Sequence, residues 1–491
     1  MRYPTHNLRL RSGLVAGLLM AAALTGCDFL DPTSVENPQT TAADLAQAER
    51  PTEALLPGLR AQFARVMSSN AVLTAVVSDD YSVHGTGLDG SLDDPRFIVS
   101  AIVNSTSSAT GAYWNLQELR ALADFVLDEI GATDDTATPA QQAEARYYRG
   151  MAYLMLAENF VGAPLERDAA PVGAAELLDR ANTDFQASLQ TAGSGNFATA
   201  SRAALARTAR WLGNAGNARQ FAAAALGDDP EFLVLREFDQ SAFDNGPWIF
   251  IVTRALKEMQ PLPRLDFLDP KYTNREQGIA VAKAEEMHLI LAEADMAQGN
   301  YAEGRAHLVA ALRLALSRPT EEFNDNDARQ NGDLTTRPRD GEIMIRADAD
   351  SPYRAGLVLT RPGLLTTPLV SGTSLNPDSI AALPASDTEG LWHALFLARQ
   401  EILFLEARRM ADLGIRLPLM LREVDANASI PLEDPVYTRA QVPAYIPPSN
   451  EMDLFTPARP YDGEVLVDTQ ITMLHDLNRI LARNGASPFM N

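Results

Sequence analysis

Apolar and small side chains recur at helical spacing through residues 139–165. Ala143, Tyr147, Met151, Leu154 and Val161 fall on one stripe, with Gly150 and Ala157 as small neighbours. Small residues on such a stripe let a second helix approach closely, and the expected partner is the stretch from Glu176 to Leu189. Two later segments share one grammar. Arg202 to Leu226 contains ALARTARWLGNAGNARQFAAAAL, and Ala284 to Leu312 contains AEEMHLILAEADMAQGNYAEGRAHLVAAL. In each, an Ala-rich helix ends near a Gly-Asn pair and a second Ala-rich helix follows at once. Glycine supplies the left-handed conformation that closes the first helix, and the alanines let the two helices pack tightly. This is the helix–turn–helix pattern of tetratricopeptide-like repeats.

Three stretches break the pattern: Ser78 to Pro95, rich in Asp and Gly; Phe323 to Pro352, rich in Asp, Asn and Arg; and Pro362 to Gly390, rich in Thr, Ser, Leu and Pro. Loops of this length inside a globular chain are where a ligand site is sought. The expected architecture is mainly α, a tetratricopeptide-like helical repeat scaffold with long irregular loop insertions and few short strands. Its divisions are a leader at 1–26, a tether at 27–50, a helical repeat scaffold with a loop insertion at 51–322, an irregular loop region at 323–390, and a C-terminal region at 391–491.

The leader is read from its charge order. Arg2, Arg9 and Arg11 precede an apolar run from Leu14 to Leu24 that is too short for a stable membrane span, followed by Leu24-Thr25-Gly26-Cys27. That ending matches a bacterial lipoprotein signal peptide, with Cys27 as the acylated residue. Cys27 is the only cysteine in the chain, so no internal disulfide is possible. The expected mature protein begins at Cys27 and is anchored to a membrane through lipid, with Asp28 to about Arg50 as the spacer. No later apolar run is long enough to span; Ile249 to Val252 is typical.

Charge narrows the partners. The chain carries a formal charge of −23, and without the three leader arginines 38 basic residues face 64 acidic ones. Such a surface repels nucleic acid. Catalytic signatures are scarce: no phosphate loop, dinucleotide fingerprint, nucleophile elbow or zinc-type histidine pair occurs, and no cofactor or metal is expected. His288 and His307 lie within the repeat helices as packing residues. Asp89, Asp93 and Asp94 are clustered oxygens but lack the spacing of a calcium loop. Paired carboxylates suited to a glycosidase cannot be singled out among 64 acids.

Four blocks resemble the SusD/RagB family of outer-membrane nutrient-binding lipoproteins. They are YYRGMAYLMLAENFVGAPL from Tyr147 to Leu165, EEMHLILAEADMAQGNY from Glu285 to Tyr301, EILFLEARRMADLGIR from Glu401 to Arg416, and AYIPPSNE from Ala444 to Glu451. In the third, Glu406, Arg409 and Asp412 occupy the family's charged positions, and Ala407 stands where the family has glycine. The family's usual Asn-Pro-Gly-Tyr ending is missing, and the chain stops at SPFMN. The spacing of Glu406, Arg409 and Asp412 also predicts structural ion pairs between them on one helix. The resemblance implies a non-enzymatic protein on the outer membrane, facing outward. It would bind a nutrient, by the family's default a glycan, and partner a SusC-like TonB-dependent barrel transporter. A helical-repeat envelope scaffold and a cell-surface glycoside hydrolase are the alternatives.

A sugar site pairs flat aromatic faces with groups that fix the hydroxyls. Asp79, Asp80 and Tyr81, then Arg96, then Tyr113, Trp114 and Asn115 bring those types together near the first irregular stretch, where the resemblance also points. Trp114 is read as beginning a helix, with Asn115 as its cap. Trp248 and Tyr272 are further candidates.

Overall fold

The computed structural model describes residues 48–83, 90–239, 243–253, 259–265, 267–323, 344–346, 354–355, 364–448, 470–472 and 475–490. The leader, Cys27 and nearly all of the tether, Asp89, and most of 323–363 lie outside them. Everything below belongs to one unit, Arg50–Asn491.

The protein is mainly α-helical with short strands, as expected. Helix α1 (Pro51–Val77) opens with Pro51, whose missing N–H is no loss in a first turn. It packs against α2 (Ser107–Asp124), and α2 packs against α3 (Pro139–Asn159). A capping box starts α3: the Thr138 hydroxyl accepts from the Gln141 N–H, and the Gln141 side chain accepts from the Thr138 N–H at 2.8 Å. The small face of α3 then meets α4 (Ala174–Ala192). A Cβ at Gly150 would lie 2.6 Å from the Phe185 ring, so only glycine admits this approach. Phe185 lies within the stretch expected to supply the partner.

Both Gly-Asn hairpins form. In the first, α5 (Asn196–Trp211) closes on Gly213 at φ +68°, and the Asn214 side chain caps α6 (Ala215–Asp228). In the second, α7 (Ala284–Ala297) closes on Gly299 at φ +83° before α8 (Tyr301–Ser317). Although more than fifty residues apart in sequence, the hairpins share one core. Ala203, Ala206 and Ala209 of α5 and Ala218, Ala222 and Ala225 of α6 pack with Met287, Ile290 and Leu291 of α7. The intervening stretch is brought back by strand pairing, β2 (Leu233–Arg236) running antiparallel to β4 (Ile279–Lys283). Strand β1 (Tyr81–Val83) pairs β3 (Met259–Pro261), and β5 (Thr320–Phe323) pairs β8 (Leu365–Pro368), both antiparallel. Strand β6 (Met344–Arg346) lies between antiparallel β7 (Arg354–Ala355) and parallel β9 (Gln470–Thr472). Helix α9 (Thr388–Ile402) lies against α7 and α8 on one side and α10 (Leu477–Arg483) on another.

Two local expectations are corrected. Helix α2 begins at Ser107, so Trp114 stands two turns inside it and Asn115 caps nothing. Glu406, Arg409 and Asp412 do not share a helix. Helix α9 ends at Ile402, the backbone turns through left-handed Leu405 (φ 55°) and Ala407 (φ 60°), and a four-residue helix, Arg409–Asp412, follows. With the helix broken there, the three charges point to different walls and do not pair with one another.

Replacing Gly150 by Leu is expected to destabilise the protein by about 1–3 kcal/mol through overpacking against Phe185. Chemical denaturation measures it; an unchanged midpoint would show that the two helices separate at no cost.

Candidate ligand-binding site

The residues singled out from sequence part into three groups. The first is interior. Asp79, Asp80, Tyr81 and Tyr272 are all buried. Arg409 forks onto Asp79, with Nε–Oδ1 at 2.6 Å and Nη2–Oδ2 at 2.8 Å, and Nη1 donates to Asn478. The Tyr81 hydroxyl donates to buried Asp269 at 2.9 Å, its ring edge-on to Phe250 and stacked on Phe404. Tyr272 donates to the Leu405 carbonyl at 3.2 Å. The acids of the C-terminal motif sit in the same interior. Glu406 Oε1 receives Lys271 Nζ at 2.6 Å and Lys283 Nζ at 2.7 Å. Asp412 receives Arg399 at 2.9 and 3.0 Å, with Arg210 Nη2 at 3.1 Å. These groups hold the fold together and do not reach solvent.

The second group is tied into walls elsewhere. Tyr113 is buried against Phe160, their rings edge to face at 5.0 Å. Burial raises its phenol well above the ordinary range. Arg96 is exposed and donates to the Pro443 and Ile446 carbonyls.

The third group lies around α1. Trp114 is 58% exposed, although a tryptophan inside a helix is ordinarily packed. Its neighbour Asn115 donates to Ser69 Oγ of α1 at 3.1 Å and accepts from Gln62. One residue earlier on α1, Ser68 Oγ accepts from the Gly246 N–H at 2.8 Å, docking the helix Gly246–Thr253. A Cβ at Gly246 would lie 2.2 Å from that hydroxyl, so the docking requires glycine. Buried Asn245 fixes the entry, accepting from the Trp248 N–H at 2.9 Å and donating to the Gln277 carbonyl at 2.7 Å. The guanidinium of Arg275 stands 5.5 Å over the half-buried Trp248 ring and pairs with Asp244 at 2.5 Å. Exposed Arg65 stands 5.8 Å from the centre of the Phe243 ring. Adjacent residues of α1 thus anchor Asn115, next in the chain to Trp114, and the turn that carries Phe243, Asp244 and Trp248, with Arg275 over the last. Arg65, Phe243, Asp244 and Arg275 were not found by sequence reading. Asp244 and Arg275 are 31 residues apart and carry no pattern that would connect them.

No protein-family model and no curated protein matches this chain. Solved structures do. B. fragilis NanU aligns over 82% of this chain and 96% of its own, at 13% identity and a TM-score of 0.50. The chain has a SusD-like fold. Other similar structures are a SusD superfamily protein from Bacteroides thetaiotaomicron (13% identity, 78% of this chain and 98% of that one, TM-score 0.47) and a putative sugar binding protein from Bacteroides vulgatus (16%, 77% and 96%, 0.49).

Among the described residues of this SusD-like body, no helix is long and apolar enough to cross a membrane, and no three His, Cys, Asp or Glu side chains are grouped to hold a metal ion. Asp93 and Asp94 therefore join no such group. His288 and His307 meet across α7 and α8, their Nδ1 atoms 3.5 Å apart. Burial, and then His307, pull the His288 imidazole down to about 4.

Asp80 is an interior acid that titrates far from its ordinary range. Burial, and then the neighbouring Asp79 carboxylate, push it up to about 8, against the pull of Arg409 and a hydrogen bond from Gln400 at 3.1 Å. The folded protein thus keeps a proton that the unfolded chain releases near pH 4. Between those values the native state binds more protons, so stability falls as pH rises. Asp80→Asn keeps the acceptor for Gln400 and removes this penalty. It is expected to be more stable than wild type at pH 8, by roughly 1–3 kcal/mol, with the difference vanishing towards pH 4. Thermal unfolding at both pH values measures it; equal destabilisation at both would mean that Arg409 requires an ionised Asp80.

Proposed function

We propose that this SusD-like protein is a cell-surface binding protein that holds a glycan against the Trp114–Trp248 face and passes it to a TonB-dependent outer-membrane barrel. The observation that carries the reading is the exposed indole of Trp114 beside a preorganised turn that presents a second indole and charged groups. Pyranose rings offer apolar CH faces that lie on aromatic surfaces, and their hydroxyls take hydrogen bonds from carboxylate, amide and guanidinium groups. Asn115, Asp244 and Arg275 supply those chemistries. The face is held by hydrogen bonds to α1 before any ligand arrives, so binding orders little that was free. The body serves as a binder: the acids nearest its C-terminal motif are committed to interior ion pairs.

Anchoring rests on the Leu24-Thr25-Gly26-Cys27 motif. It is read by fatty-acid labelling of growing cells, which should mark the wild type and leave Cys27→Ser unmarked. Delivery to the barrel rests on the sequence resemblance and the shared fold.

Binding is tested by screening the purified protein against soluble oligosaccharides and repeating the positive cases with Trp114→Ala and Trp248→Ala. Loss of one stacking indole is expected to weaken binding by about 1–2 kcal/mol. Because Trp114 is exposed, its removal should change stability by no more than about 0.5 kcal/mol. Unchanged affinity in both variants would remove this face from the site.

A further inference from the structure

A cleft of about 450 Å³ lies at the turn of the first repeat hairpin. Its lining includes Trp211, Leu212 and Gly213, Glu158, Asp412, Gly414 and Arg416, and Pro443 and Tyr445. Its charges are unequal in how they are satisfied. Glu158 receives both Arg207, through Nε at 2.6 Å and through Nη2, and the Trp211 indole N–H at 2.7 Å. Asp412 is held by Arg399 and Arg210, and Arg210 is itself forked onto Glu293 at 2.5 and 3.0 Å. Glu286 takes Arg408. Four guanidiniums behind the cleft, those of Arg207, Arg210, Arg399 and Arg408, therefore meet four carboxylates, and that set is balanced.

Arg416 is the cation left over. Its backbone is pinned by pairing with Gln441, and its Nε donates to the Ala157 carbonyl at 3.0 Å. Among the described residues, no carboxylate lies within ion-pair distance of it and its two Nη groups meet no acceptor. Burial pulls its pKa down, with only the more distant Glu158 opposing. A half-buried, positionally fixed guanidinium with unpartnered Nη donors, lining a cleft with two aromatic side chains, suits a planar anion.

We propose that this cleft is a second binding site, for a carboxylate-bearing ligand of monosaccharide size, with Arg416 taking the carboxylate and Trp211 and Tyr445 bounding its apolar body. The site stands independently of the Trp114 face, shares no residue with it, and requires no glycan there.

Calorimetric titration at low salt with sodium glucuronate, glucose and sodium acetate separates the parts of the claim. Glucose has the ring without the carboxylate, and acetate the carboxylate without the ring. Glucuronate is expected to bind at least about tenfold more tightly than either, and Arg416→Gln to lose about tenfold or more of that affinity, with Arg416→Lys intermediate. Binding should also weaken as salt is added. Should Arg416→Gln fail to fold, Tyr445→Ala is the second variant and must weaken glucuronate several-fold. Glucuronate binding no better than glucose, or undiminished in the folded Arg416 or Tyr445 variants, overturns the proposal.

Discussion

A charge can be buried in a protein only if a counter-charge and hydrogen bonds replace the water it gives up. That constraint organises this molecule around one short segment, Arg399 to Asp412. Arg399 and Asp412 pair with each other and reach Arg210 of α5. Arg408 takes Glu286 of α7, Arg409 takes Asp79 just beyond α1, and Glu406 takes Lys271 and Lys283. Three of these cations, with Tyr272, hold the turn in shape. Lys283 donates to the Ile402 carbonyl, Lys271 to that of Phe404, Tyr272 to that of Leu405 and Arg408 to that of Glu406. Left-handed backbone at Leu405 and Ala407 costs on the order of 1–2 kcal/mol each, and these bonds are what sustain it. The first helix, the repeats and the long middle insertion are thereby joined at one place.

Placing the charges inside also decides what is left outside. Asp79, Asp80, Glu406 and Asp412 are committed to the interior, so the proposed glycan face draws its polar groups from Asn115, Asp244 and Arg275 instead. The surface they occupy is built on α1, whose opposite side packs into the core, and Ser68 and Ser69 carry the two flanks. The interior network and the outward face are thus two sides of the same scaffold.

The repeats were legible because their signals are local. Gly213 and Gly299 close helices whatever the rest of the chain does, and Gly150 announces a close approach before its partner Phe185 is known. Composition likewise located Trp114 and Trp248 as aromatic candidates. What sequence spacing could not convey is which distant residue each charge would meet. A three-residue interval between Glu406, Arg409 and Asp412 reads as one helical face, and it fails because left-handed Leu405 and Ala407 flank Glu406 under forces supplied by Lys271, Lys283 and Tyr272, more than a hundred residues away. Asp79, Asp80 and Tyr81 look like loop residues for the same reason: Arg409, Gln400 and Asp269, which draw them inward, are distant in sequence.

Hydrogen–deuterium exchange of the intact protein, with and without a saturating oligosaccharide from the binding screen, tests the division of labour most directly. The account predicts that protection rises in residues 107–120 and 243–253, flanking Ser68 and Ser69, while Arg399 to Asp412, already slow to exchange, stays unchanged. Ligand protection that spares both flanks and falls instead on the Arg399–Asp412 segment would contradict it.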